Sequence, residues 1–312
     1  MRRQILSFAI QGERCIGTCH APMNWSPQTT LSTPLALVSF NYGQAPRSGH
    51  GALAAKLSDT LAALGIPAFR VDAPGLGDST GVLPMREDHY WQQMELGEQL
   101  PFARDLLDRL QQKYGIESFL LSGLCGGAVT AIRTAAEQTK RVLGLVLLEP
   151  TFLLTRSAEE LRARRILDTK TLDDGLLTIR ARLFSPRSWG RAICGRSKTK
   201  HHLGVLWQSA IRSASELLGK TRLPEDSNLD LIERWQRTLG AQIPTLLFAA
   251  GGGPLQAQAR RVYERVLSAR ERSWVQWETL PGANHTLTTG EVHPIVQSVT
   301  LDWIRGRLGQ AI

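Results

Sequence analysis

The chain has 312 residues, of which 42% are hydrophobic and 21% are charged, enough for one large core or for a core with a sizeable insertion. Its apolar runs fall far short of the roughly 20 residues of a membrane span, its N-terminus lacks the features of a secretory signal, and its four cysteines are too few and too unevenly spaced for a disulfide framework. We therefore expect a soluble, cytoplasmic, globular protein without a transmembrane segment. The net charge of +9 is concentrated in residues 151–222, which hold 15 Lys and Arg against 6 Asp and Glu, so the rest of the chain is neutral.

Residues 1–150 alternate short apolar runs with amphipathic segments. Strands that are apolar on both faces and separated by helices predict a parallel sheet covered by helices on both sides. The predicted strands are residues 35–41, 66–71, 119–122 and 142–148, and the predicted helices are residues 51–64, 100–114 and 128–139.

The alternation stops after Pro150 and resumes near residue 243. Between these points the chain is basic and mostly helical in pattern, without a convincing buried strand. We predict an α/β core of residues 1–150 and 241–312, interrupted by a basic helical cap of residues 151–240 before the last two core strands. Those strands are predicted at 243–249 and 274–280, and the remaining helices at 255–267 and 292–308.

A Gly-x-Cys-x-Gly pattern, residues 123–127, joins a predicted strand to a predicted helix. With serine at the centre, this would be the nucleophile elbow, a turn so sharp that the nucleophile adopts a strained backbone and its neighbours two residues away must lack side chains. The following helix directs its positive end at Cys125, which favours a thiolate, and directs the Gly126 amide at a developing oxyanion. Cys125 is thus the candidate nucleophile.

With this elbow, nearly the whole chain resembles the α/β-hydrolases. The segment 69–79 (FRVDAPGLGDS) is similar to the strand and loop after the fourth strand of that family, and 281–285 (PGANH) follows the last core strand, where the family keeps its catalytic histidine. The resemblance implies an α/β-hydrolase fold with a mostly parallel sheet and His285 as the base. It also implies a second oxyanion donor in the loop that begins at Tyr42, where either Gly43 or Gln44 supplies the amide.

The catalytic acid departs from the commonest family pattern. The loop after residues 243–249 has no carboxylate until Glu264, which lies too far along the next helix. Some members, the haloalkane dehalogenases among them, place the acid after the strand that precedes the cap, and here that strand ends at Glu149. Burying a carboxylate at the end of an apolar strand costs free energy unless the carboxylate is paired or hydrogen-bonded. We therefore predict a Cys125–His285–Glu149 triad, with a Cys–His dyad and a structural Glu149 as the alternative.

A looser resemblance links the elbow cysteine and residues 178–197 to the hydrolases that accompany exosortase and exopolysaccharide gene clusters in bacteria. Poly-hydroxyalkanoate synthases also have cysteine in such an elbow, but their acid follows the strand after the cap. Dienelactone hydrolases use cysteine as well, usually in shorter chains without this cap.

Each reactive side chain also has a purely structural interpretation. Cys125 could be a core cysteine and His285 a surface histidine, but their shared context makes both interpretations weaker. Cys15, Cys19 and His20 form only half of a metal site, so we predict a structural role in an N-terminal hairpin, and neither a metal nor a cofactor. Turn chemistry explains Asp72 and Asp78, and surface positions are predicted for His201, His202 and His293.

The basic segment has three interpretations. It can be a solvated helical face, a nucleic-acid surface, or a surface that steers an acidic partner such as a carrier protein, coenzyme A or an anionic lipid surface. No nucleic-acid motif accompanies it, so no nucleic acid is expected, and steering is slightly preferred. The residues assigned to steering are Arg187, Arg191, Arg196 and Lys198.

The sequence as a whole predicts a hydrolase or acyltransferase acting on an ester or thioester through an acyl group on Cys125. The substrate would be a small-molecule or carrier-bound acyl compound. Two alternatives stay open: a degenerate hydrolase fold serving as a binding or scaffold protein, and an esterase for small molecules.

Overall fold

An eight-stranded sheet forms the centre of the computed structural model, which describes residues 1–23, 25, 35–155, 223–224, 226–252 and 254–309. The strands lie in the order β1-β2-β4-β3-β5-β6-β7-β8. Their bounds are β1 Arg2–Ile10, β2 Glu13–Ala21, β3 Leu35–Ser39, β4 Ala68–Val71, β5 Ser118–Leu124, β6 Val142–Leu148, β7 Thr245–Ala250 and β8 Val275–Leu280.

The sheet is antiparallel at one end and parallel across the rest. β1 pairs with β2 and β2 with β4 in antiparallel fashion, as the predicted hairpin requires. From β4 to β8 every pair is parallel. β3 and β7 are buried at every position, and β5 and β6 at all but one, because helices cover both faces. The predicted α/β-hydrolase fold with a mostly parallel sheet is confirmed.

Helices follow most of the parallel strands, close to their predicted positions. Two helices outside the predicted cap, α2 and the short α7, were not predicted. The bounds are α1 Leu53–Ala63, α2 Glu87–Leu96, α3 Leu100–Tyr114, α4 Gly126–Glu137, α5 Leu229–Gly240, α6 Pro254–Arg261 continued by a π turn over Val262–Val266, α7 Ala269–Arg272 and α8 Val292–Leu308. None of the described helices is long and apolar enough to cross a membrane.

The core forms one compact unit of residues 1–155 and 226–312. The core thus includes α5, which the sequence prediction placed in the cap. α5 packs on α4, and its Trp235 stacks on Phe152 with ring centroids 5.1 Å apart. The apolar face of α5 therefore packs against the core. Residues 156–222 of the predicted cap lie outside the described residues.

The two core segments that flank the insertion are held side by side. Leu154 donates to the Asp226 carbonyl and Asn228 to the Phe152 carbonyl, both at 2.7 Å. The buried Glu95, on α2, accepts hydrogen bonds from the Thr155 amide at 2.5 Å and from the Thr155 hydroxyl at 2.7 Å. Burial raises the pKa of Glu95, and the bonds from Thr155 oppose that change. One end of α2 is thus fixed to the point where the chain leaves the core.

A chain of buried polar groups links the hairpin to α1. His20 is fully buried; its Nδ1 lies 2.7 Å from Asp59 Oδ1, and Arg70 Nε donates to its Nε2 at 2.9 Å. Burial and the nearby Arg70 charge lower the pKa of His20 to about 4. His20 is therefore neutral, with its proton on Nδ1.

The prediction that His293 lies on the surface is wrong. This histidine is buried on α8, where its Nε2 lies 2.7 Å from the Leu287 carbonyl and its Nδ1 lies 3.0 Å from Lys56 Nζ. It joins α1 and α8 to the loop that follows β8. This burial could not be predicted from the sequence, because Lys56 is distant in the chain and Leu287 lies in an irregular loop.

Candidate active site

The turn between β5 and α4 has the geometry of a nucleophile elbow. Cys125 has φ 54° and ψ −111°, a backbone conformation that residues other than glycine rarely adopt. A Cβ added at Gly123 would lie 2.2 Å from the Gly127 carbonyl carbon, and one at Gly127 would lie 2.4 Å from the Asn41 oxygen. Both positions therefore exclude a side chain, as the pattern predicts. The strain of the turn is stabilised by the packing of β5 and α4 on either side.

Cys125 is placed to be reactive, whereas two other cysteines are not. It is partly exposed and caps the N-terminus of α4, where the helix dipole favours a negative charge. Cys15 and Cys19 are buried in β2, and burial raises the pKa of Cys15 to about 11 and that of Cys19 to about 12. These two thiols stay protonated at neutral pH. Cys194 lies outside the described residues.

His285 and Glu149 meet at the carboxyl edge of the parallel sheet. Glu149 directly follows β6, and His285 lies in the loop after β8. His285 Nδ1 is 3.0 Å from Glu149 Oε2, and the buried Glu149 also accepts a hydrogen bond through Oε1 from the Ala250 amide. The end of β7, where the acid commonly stands, thus contributes an amide that holds a carboxylate from β6. Glu149 also has a positive φ of 48°.

The imidazole of His285 interacts with both other members of the predicted triad. Hydrogen bonds to Cys125 and then to Glu149 raise the pKa of His285 to about 10, against a smaller lowering by burial. Because Nδ1 is bonded to Glu149, Nε2 is the nitrogen available to Cys125. The structure thus brings Cys125, His285 and Glu149 together in the order thiol, imidazole, carboxylate. This arrangement can hold an imidazolium beside a thiolate.

The loop after β3 supplies backbone amides near the elbow. Ala45 donates to the Tyr42 carbonyl at 3.1 Å, which closes a turn with Gly43 and Gln44 at its centre. Gly43 is buried with φ 59°, and Gln44 is exposed. Gly126 is the first residue of α4, so its amide has no acceptor within the helix. The predicted oxyanion donors therefore belong to two elements that face each other where Gly127 packs on Asn41.

The buried Asp72 holds this loop in place. Its carboxylate accepts from Asn41 Nδ2 at 2.9 Å, from the Arg47 amide and side chain, and from the Asp78 amide. Asn41 in turn accepts from the Ala73 amide at 3.0 Å. A structural role for Asp72, with no catalytic part, is consistent with these contacts.

The contribution of α2 to the site was not predicted from the sequence. Trp91 packs on Gly43, since a Cβ added there would lie 2.7 Å from its ring, and Met94 packs on Gly126, where an added Cβ would lie 1.8 Å from the sulfur. The Tyr90 hydroxyl donates to the Gly43 carbonyl at 3.1 Å. The acidic first turn and the closing Gly97 were the available signals for this helix.

His50 was also missed. It is partly buried, and its pKa is lowered by burial and by the charge of His285. His50 is therefore a further titratable group that interacts with His285, and it lies in the short 3₁₀ turn that precedes α1.

The remaining predicted groups do not enter the described site. Within residues 1–155 and 226–309, as far as they are described, no group of three His, Cys, Asp or Glu is placed to hold a metal ion. Cys15 and Cys19 lie inside the sheet. The predicted steering residues Arg187, Arg191, Arg196 and Lys198, and also His201 and His202, lie outside the described residues.

Comparison with known proteins identifies the family of this chain. The model of a family described as the alpha/beta hydrolase family matches residues 45–296. Human monoglyceride lipase is 31% identical over 153 residues, which are 48% of this chain and 44% of that protein. The match thus spans less than half the length of this relative.

Solved structures share the fold at low sequence identity. A thioesterase domain from the curacin biosynthetic pathway is 17% identical with a TM-score of 0.53, and the match covers 96% of this chain and 100% of that one. Proline iminopeptidase from Mycobacterium smegmatis is 15% identical with a TM-score of 0.56, over 98% of this chain and 100% of that one. These likenesses concern the fold.

Proposed function

Because this chain belongs to the alpha/beta hydrolase family, we propose that it is a hydrolase that cleaves an ester or thioester through an acyl group held on Cys125. The observation that carries the proposal is the position of His285, whose Nδ1 is bonded to the buried Glu149 while its other side interacts with Cys125. A histidine in a surface loop without a function would need neither partner.

The proposed first step is acylation. The Cys125 thiolate attacks the substrate carbonyl carbon, a C–S bond forms, and the carbonyl oxygen takes the negative charge. The amide of Gly126 and one from the Gly43–Gln44 turn stabilise that oxyanion. As the bond to the leaving group breaks, protonated His285 gives its Nε2 proton to the leaving alkoxide or thiolate, and Glu149 keeps the ring oriented.

The second step reverses these roles. Neutral His285 removes a proton from water, the resulting hydroxide attacks the thioester, and the Cys125 thiolate leaves as the acid forms. An alcohol or amine that enters in place of water would give acyl transfer. A thioester intermediate is readily attacked by either, so cysteine favours thioesterase or acyltransferase work over plain ester hydrolysis.

An acyl thioester on an acidic carrier or on coenzyme A is the substrate class we propose. The sequence supports it through the excess of +9 in residues 151–222, which would attract an anionic substrate. A monoacylglycerol is the second candidate, because a relative with 31% identity is a monoglyceride lipase. The looser likeness to exopolysaccharide-associated hydrolases stays a prediction.

The test compares substrates that share one acyl group. We would measure kcat/KM for a butyryl-coenzyme A thioester, a neutral butyryl thioester of N-acetylcysteamine, ethyl butyrate and monobutyrin, at low and high ionic strength. Highest turnover of the coenzyme A ester, with a decrease at high salt for that ester alone, is the expected result. Preference for monobutyrin, or equal salt effects on charged and neutral thioesters, would contradict the proposed substrate class.

A further inference from the structure

Tyr90 fixes the position of the peptide that joins Gly43 and Gln44. Its side chain is 3% exposed on α2, and its hydroxyl donates to the Gly43 carbonyl at 3.1 Å in a buried bond. The next residue, Trp91, packs on the Cα of Gly43 from the same helix. One helix therefore holds this turn by a hydrogen bond and by an aromatic contact.

The direction of one group in a peptide determines the direction of the other. In a planar trans peptide the C=O and the N–H point to opposite sides. The Gly43 carbonyl and the Gln44 amide belong to the same peptide, so a hydrogen bond that holds the carbonyl also sets where the amide points. The carbonyls of the turn are engaged on both sides, since the Tyr42 oxygen accepts from Ala45 and the Ala45 oxygen accepts from Asn41.

We infer that Tyr90 is a positioning residue for the reaction, which holds the Gln44 amide as the second oxyanion donor. This inference rests on the proposed function, since it assigns the part of the site that would stabilise the negative charge during acylation. It also distinguishes Gln44 from Gly43, which the sequence leaves as equal candidates. Tyr90 does not touch the reacting atoms in this role; it acts through the peptide.

Two further observations agree with this role. Burial raises the pKa of Tyr90 to about 12, and a hydrogen bond with the Gln99 side chain opposes that change without reversing it, so the phenol keeps its proton and remains a donor. Met94, one turn further along α2, packs on Gly126, so the same helix contacts both elements that supply oxyanion amides.

The test uses Tyr90→Phe, which removes the hydroxyl and keeps the ring. The matched control is Tyr114→Phe, since Tyr114 is also a buried tyrosine on a helix but packs on Phe69 and Trp25 away from the site. Two reactions of Cys125 are followed in each protein. Acylation by p-nitrophenyl butyrate develops an oxyanion, whereas alkylation by iodoacetamide develops none.

Tyr90→Phe should slow acylation about tenfold, less than the roughly 10²-fold or more that follows removal of an oxyanion donor itself, because the amide is retained but less fixed. Alkylation should stay within about twofold of wild type, and Tyr114→Phe should change neither reaction. Unchanged acylation, or an equal slowing of both reactions, would overturn the role of Tyr90 while leaving the proposed function intact. A wild-type protein that p-nitrophenyl butyrate does not acylate at Cys125 would overturn the proposed function itself.

Discussion

Two histidine–carboxylate pairs in this protein have nearly the same geometry and opposite chemistry. His285 lies 3.0 Å from Glu149, and His20 lies 2.7 Å from Asp59, each through Nδ1. The pKa of His285 is raised to about 10, whereas that of His20 is lowered to about 4.

The difference comes from what faces the other ring nitrogen and from access to water. For His285 it is the Cys125 sulfur, which favours a protonated ring by accepting a hydrogen bond from it, and about a third of the His285 side chain is exposed. For His20 it is the Arg70 guanidinium, a cation that disfavours protonation, and the ring is fully buried. A carboxylate beside a histidine therefore does not identify a catalytic base; the third group does.

Changing each carboxylate to an amide gives the largest expected difference between the two pairs. Glu149→Gln should lower kcat about 10³-fold, because the neutral amide no longer stabilises the imidazolium or fixes its orientation. Asp59→Asn should leave kcat within about twofold and lower the free energy of unfolding by about 1–2 kcal/mol. Steady-state kinetics and urea denaturation of both variants provide the check. Near-wild-type turnover of Glu149→Gln would remove Glu149 from the proposed triad.

The two histidines should also affect stability in separate pH windows. Between pH 6.5 and about 4, folded His20 binds fewer protons than it does in the unfolded chain, so stability is lost as the pH falls through this range. Between pH 6.5 and about 10, folded His285 binds more protons than the unfolded chain, so stability is lost as the pH rises. The His20 contribution is on the order of 3 kcal/mol.

Denaturation of the wild type, His20→Gln and His285→Gln across pH 4–10 tests these windows. Relative to wild type, His20→Gln should flatten the acid limb of the stability curve, and His285→Gln should flatten the alkaline limb. An acid limb that His20→Gln leaves unchanged would show that other groups dominate acid unfolding.

The smallest expected effect is a change in the pKa of His50. Protonated His285 lowers this pKa, as Arg70 lowers that of His20. Replacing His285 by Gln removes the charge that helps to lower the pKa of His50, while burial, the larger cause, remains. An NMR titration should therefore find the pKa of His50 higher in His285→Gln than in wild type, but still below its ordinary value. An unchanged His50 titration would mean that the two rings do not interact.

Features encoded by adjacent residues could be predicted from the sequence. The elbow is a five-residue pattern between a strand and a helix, and its glycines are required by contacts within or beside that turn. Glu149 was proposed from the resemblance to family members that place the acid after the strand before the cap, and the apolar strand that ends at this residue supported the choice.

Features that depend on contacts between distant residues could not be predicted. α2 is a mostly polar segment, and its buried Tyr90 and Met94 contact Gly43 and Gly126, which are distant in the chain. The burial of His293 depends on Lys56, which lies 237 residues away. The same holds for His20 and Arg70, whose pairing requires the register of β2 on β4.

The most direct test of the central claim is the intact mass of the protein after brief exposure to butyryl thioesters and activated butyryl esters. Wild type and Cys125→Ala are compared, with Cys194→Ala as a control that removes a different thiol. We expect a butyryl adduct in wild type and in Cys194→Ala, assigned to Cys125 by peptide mapping and absent from Cys125→Ala. An adduct that persists in Cys125→Ala, or turnover by that variant at the wild-type rate, would contradict a covalent mechanism on Cys125.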